Sequence, residues 1–109
     1  YVLTLAEIAE IDAKIVAYNA VIQQKAQTYN LALADIEGLY QSLSSGIVYN
    51  GVTLNAEFIT GGAFSLDGRN LNPIGQALIA NQFIEAINSQ FNAAIPKADV
   101  TKYHGILFP

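Results

Sequence analysis

Hydrophobic positions are spaced by threes and fours over the first thirty residues: Leu5, Ile8, Ile11, Ile15, Tyr18, Ile22, Ala26 and Tyr29. That spacing places them on one face of a helix, with Glu10, Lys14, Gln24 and Gln27 pointing elsewhere. Thr4 with Glu7 three residues on forms a capping box at its start, and Asn30 tolerates the left-handed conformation that ends a helix. The apolar run from Leu31 to Ile36 reads as a short buried parallel strand, although run length alone also allows more helix. Residues 36–44 predict a second helix with Leu39, Tyr40 and Leu43 inward and Gly46 as its stop. Residues 47–54 predict a β-hairpin, because Asn50-Gly51 suits the two positive φ values of a type I′ turn. Gly61-Gly62 marks a mobile or tightly bent loop. A third helix opens with Asn72 as cap and Pro73 at its first position, and Ala80, Phe83, Ile84, Ile87 and Phe91 are expected to line its inner side. Pro96 breaks the pattern. The tail carries Tyr103, Ile106, Leu107 and Phe108 and is expected to pack down.

Composition changes this picture in one respect. Hydrophobic residues make up 52% of the 109 and charged residues only 13%, against about 25% charged in a typical soluble domain. The surface is therefore expected to be rich in amides and partly apolar, and to cover some apolar area with a second copy or another segment. One domain or half-domain over residues 1–109 is the natural size. The chain contains no Met, so Tyr1 is read as following a removed upstream segment.

Charge and residue types exclude several functions. Net charge is -4, and the five Lys and Arg residues are scattered singly, which disfavours nucleic acid. No apolar run approaches the ~20 residues of a membrane span. Without cysteine there is neither disulfide nor thiolate chemistry. Asp12, Glu37, Glu57 and Asp99 lack metal-ligand spacing, and one His with no Cys argues against a zinc site. The six Tyr residues fall on packing positions and form no stacking platform for bases. Asp35, ending the apolar run, suits either a site carboxylate or the cap of the next helix.

The candidate chemistry lies in Phe64-Ser65-Leu66-Asp67-Gly68-Arg69-Asn70-Leu71-Asn72-Pro73-Ile74-Gly75, a polar loop running directly into a helix. Asp-Gly before a capped helix is, in its plainest reading, a turn. With Gly61-Gly62 ahead of it, however, this stretch resembles the last motif of the SGNH (GDSL-type) esterase and lipase family, Asp-x-x-His followed by a helix start. The order of long helix, apolar strand, polar excursion, Asp loop and helix extends that resemblance over nearly the whole chain. It implies the C-terminal portion of an α/β/α sandwich, helix-rich, with a short parallel strand and a small hairpin. In the family the Asp orients the His, which is the general base for a serine. Asp67 matches the first, and Asn70 stands where the His is expected.

A carboxamide has no proton equilibrium near neutral pH, so Asn70 cannot act as that base. The family's nucleophilic Ser in a Gly-Asp-Ser context and its oxyanion-donating Gly and Asn blocks have no counterpart here. Ser65 lies in the wrong motif to substitute, and the single His104 sits thirty-four positions beyond Asn70 in the apolar tail. The resemblance thus implies a section of a lipase or esterase that is inactive alone, needing no cofactor and belonging to an exported, extracellular or periplasmic protein. Its expected partners are the missing N-terminal half or a second copy, joined through apolar surface. The alternative from another class is a non-catalytic binding or oligomerisation module that holds an ester or glycan without turning it over. A small helical interaction domain, its first helix packed on a partner's helix, is a third.

Overall fold

The computed structural model describes residues 2–106, so Leu107 and Phe108 of the expected apolar tail lie outside the described residues. The chain separates into two compact units, residues 1–33 and 34–109. The element content is mixed and helix-rich, with α-helices and one two-stranded antiparallel hairpin.

The first unit is helix α1, Leu5–Tyr29. Its capping box forms as the sequence dictates. The Thr4 hydroxyl accepts from the Glu7 amide at 3.3 Å, and the Glu7 carboxylate accepts from the Thr4 amide at 2.7 Å. Asn30 takes the left-handed conformation, φ 54°, and closes the helix by donating to Ala26 and Gln27 carbonyls. Only Ala26 of this helix is buried; the apolar stripe itself is exposed.

The second unit holds the core. Helix α2 spans Ile36–Ser45, strands β1 and β2 are Ile47–Tyr49 and Val52–Leu54, and helix α3 is Pro73–Phe91. A 3₁₀ turn, Val100–Lys102, follows. The hairpin pairs Ile47 with Leu54 and Tyr49 with Val52, turning through Asn50 (φ 50°) and Gly51 (φ 79°) as a type I′ turn requires. Leu39, Leu43, Leu54, Ala63, Leu71, Ala77, Leu78 and Val100 form one buried cluster.

Three expectations are corrected. Residues 31–35 form no strand, parallel or otherwise. A strand exists only when a neighbour completes its hydrogen bonds, and Asp35 is instead the cap of α2, its Oδ1 accepting from the Gly38 amide at 2.8 Å. Tyr40 lies at the surface of α2, its ring 6.0 Å from that of Phe64. The inner face of α3 is not the one expected: Gly75, Ala77, Leu78 and Asn81 are buried, whereas Ala80, Phe83 and Phe91 are exposed and Ile84 and Ile87 are half-buried. The period of α3 marks the row Ala80, Phe83, Ile84, Ile87 and Phe91, but Leu78 packs in the core cluster and Asn81 bonds the returning chain, so the side that meets a partner is the buried one.

Two asparagines on α3 pin the returning chain. Asn81 donates to the Ala98 carbonyl at 2.8 Å and accepts from its amide at 2.7 Å. Asn88, two turns on, does the same with Ile95 at 2.9 Å in both directions. Each carboxamide thus replaces the peptide that a neighbouring strand would have offered. Lys97 and Glu85 form an exposed ion pair beside them. Of the tail's apolar residues within the described range, Ile106 is half-buried and Tyr103 is exposed.

Candidate functional site

The loop carrying Asp67 is closed at its base by three backbone contacts. Phe64 and Leu71 form an antiparallel bridge, the Ser65 amide donates to the Asn70 carbonyl at 2.8 Å, and the Asn72 amide donates to that of Ala63 at 3.0 Å. Asn72 couples this base to α3. Its Oδ1 caps the helix by accepting from the Gly75 amide at 3.0 Å, while its Nδ2 donates back to the carbonyls of Gly62 (2.8 Å) and Phe64 (3.3 Å). This buried carboxamide therefore ties both sides of the loop to the helix start. Glycine is required at position 75, since a Cβ there would stand 2.4 Å from the Ala63 carbonyl oxygen and 2.8 Å from the Leu71 Cβ.

Asp67 sits exposed at the tip, and its carboxylate organises the loop. Oδ1 accepts from the Ser65 hydroxyl at 2.6 Å, the Arg69 amide at 2.9 Å and the Asn70 amide at 2.8 Å. Oδ2 accepts from the Asn70 carboxamide at 2.5 Å. The Ser65 hydroxyl most of all, then the Arg69 and Asn70 amides and the Asn70 side chain, hold the Asp67 carboxyl well below its ordinary value of 3.8. The ionised form is the one so favoured. Its contribution is present above pH ~3.9, the unfolded value, and is lost as pH falls toward the lower folded one. Full exposure to solvent weakens it.

The sequence-derived pair is thus brought together: Asp67 and Asn70 share a side-chain hydrogen bond. Ser65 joins them as a donor to Asp67, a role that its position two residues before the Asp makes readable as an Asx- or ST-type local bond. Asn72 is more than the cap expected, because its two donated bonds reach back eight and ten residues. His104 is exposed and is not among the partners of Asp67. Its neighbour Gly105 lies against Ile74, near Asn72. Asp99 caps the 3₁₀ turn and accepts from Asn50 Nδ2 at 3.2 Å. The Thr101 hydroxyl and amide, with Asn50, lower its carboxyl below the usual range.

A turn over residues 57–60 flanks the Asp67 loop. The Thr60 amide donates to the Phe58 carbonyl at 2.8 Å across Ile59, whose φ is 71°. A β-branched residue in that conformation is strained by about 1–3 kcal/mol. The turn sets Phe58 beside the loop, its ring carbons 3.2 Å from where a Gly68 Cβ would be. Phe58 is exposed beside the loop, and Leu66 within the loop is exposed as well.

A separate groove between α2, the hairpin and α3 is lined by Leu39, Ile47, Tyr49, Leu78, Asn81 and Glu85. It includes neither Asp67 nor Asn70, and its one buried polar side chain, Asn81, is already occupied by Ala98. Among the described residues no group of three or more His, Asp and Glu could hold a metal ion, and no helix is long and apolar enough to cross a membrane. Comparison with models of known protein families, with curated proteins and with solved structures finds no match to the chain.

Proposed function

We propose that the chain is the C-terminal section of an SGNH-type ester hydrolase sandwich whose orienting carboxylate survives and whose base has become a carboxamide. On this reading Asp67 occupies the position of the family's Asp and Asn70 that of its His. The site then holds an ester or an acylated glycan through hydrogen bonds without cleaving it. The nucleophilic serine and oxyanion donors would come from polypeptide outside these 109 residues.

One observation carries the reading. Asn70 Nδ2 donates to Asp67 Oδ2, the bond that an imidazole Nδ1–H makes to its carboxylate when a histidine is held ready as a base. The other carboxylate oxygen is committed to Ser65 and two backbone amides, so the acceptor facing residue 70 is held in place. An amide can fill this position but cannot take up and return a proton. Exposed Phe58 beside the loop offers apolar contact to the acyl or sugar part of such a ligand.

The test is Asn70→His. NMR titration of the new imidazole is expected to show a pKa above its ordinary ~6.5, returning to that value when Asp67→Asn is added. A histidine raised in this way stabilises the fold fully below pH ~6.5, and the gain disappears as pH rises through the higher folded value. An imidazole that titrates at or below 6.5 beside an intact Asp67 overturns the assignment. In a polypeptide that also supplies the Gly-Asp-Ser segment, the same substitution is expected to raise ester hydrolysis on the order of 10²–10⁴-fold. No gain there would leave a binding module without the hydrolytic ancestry.

A further inference from the structure

Helix α1 carries an apolar stripe whose residues are exposed, and its details select an occupant. Ile8, Ile11, Ile15, Tyr18, Ile22, Lys25 and Tyr29 alternate three- and four-residue spacings, the heptad pattern of a coiled-coil seam, with Ile at each of the first three a positions. Ile8, Ile11 and Ile15 are between 41% and 45% exposed, and Ile22 is 52% exposed. The stripe contains one charge, Lys25, whose ammonium lies 5.9 Å from the Tyr29 ring centre.

Charge is segregated along the same helix. Glu7, Glu10 and Asp12 occupy its first eight residues, which hold no base, and Lys14 and Lys25 occupy the rest, which holds no acid. We infer that α1 pairs with α1 of a second copy of this chain, antiparallel, through this seam. Two copies laid parallel would oppose Lys25 to Lys25 and bring Glu7 to the partner's Asp12, both repulsive. Laid antiparallel, Ile8 faces Lys25, Ile11 faces Ile22 and Ile15 faces Tyr18. Each Lys25 then lies beside the partner's Glu7, and the acidic end of one helix meets the basic stretch of the other. This inference rests on α1 alone, so it stands or falls separately from the Asp67 assignment.

The test begins with sedimentation equilibrium of the 109-residue chain. A particle of twice 11.7 kDa is expected, and Ile15→Glu is expected to return it to monomer with its helical circular dichroism intact. The chain has no native cysteine, so Thr28→Cys gives a single spin-label site. Antiparallel pairing sets Thr28 opposite the partner's Leu5 and the two labels about 35 Å apart along the axis. Parallel pairing sets them on the order of 10 Å apart. A monomer at about 100 µM, a dimer that survives Ile15→Glu, or a short label distance overturns the proposal. So does co-sedimentation of a monomer with neutral lipid vesicles, which would assign the stripe to a lipid surface.

Discussion

Helices α1 and α3 begin and end alike, yet they treat their apolar residues in opposite ways. Both open on a side chain that caps the first turn, and both close on a left-handed asparagine, Asn30 or Asn92. Helix α1 has the regular amphipathic stripe and buries only Ala26. Helix α3 has an apolar row of its own, Ala80, Phe83, Ile84, Ile87 and Phe91, yet buries Gly75, Ala77, Leu78 and Asn81 against the core of its unit. A tidy period therefore says which face is available for burial, and packing partners decide which face is used. Helix α3 has such partners because Gly75 lets the Asp67 loop approach its first turn, and because Asn81 and Asn88 hold the returning chain along it.

The sharpest way to break this comparison is to truncate one side chain in each unit. Leu43, fully buried, is expected to cost about 2–5 kcal/mol as Leu43→Ala in urea unfolding. Ile15→Ala, at a position 42% exposed, is expected to change stability by no more than about 0.5 kcal/mol where the chain is monomeric. Comparable losses at the two sites would mean that the α1 stripe is packed within its own chain. Next in size is Asn81→Ala, which strips the Ala98 amide and carbonyl of their partners. It is expected to cost roughly 1–3 kcal/mol and to increase amide exchange at Ala98. Unaltered protection there would show that the tail is held by other contacts.

The smallest effect belongs to the capping box. Thr4→Ala is expected to cost about 1 kcal/mol, read as lost helical circular dichroism and faster exchange confined to the first turns of α1. Loss of protection extending into α3 would refute the locality of that cap.

What could be read from the residues alone follows the range of the forces involved. The Thr4–Glu7 box, the Asn30 terminus, the Asn50-Gly51 turn and the Asn72-Pro73 start all stand as expected, because each is decided by a few neighbouring residues. The bond between Asp67 and Asn70 belongs to the same class, its partners being three positions apart. The supposed strand at residues 31–36 required a partner distant in sequence, and local apolarity could not guarantee one. Nor could it reveal that Asn72 reaches back to Gly62, or that Asn81 serves Ala98 seventeen residues away.

The sequence by itself determined where the three α-helices start, where α1 and α2 stop, the hairpin turn at Asn50-Gly51, and the absence of a titrating base at position 70. These depend on dihedral preference and on donors and acceptors within a turn of each other. Tertiary structure alone decided which side of α3 is buried, that Tyr40 stays at the surface, and that residues 31–35 extend no sheet. Burial and strand pairing are settled by groups brought close only when the chain has folded.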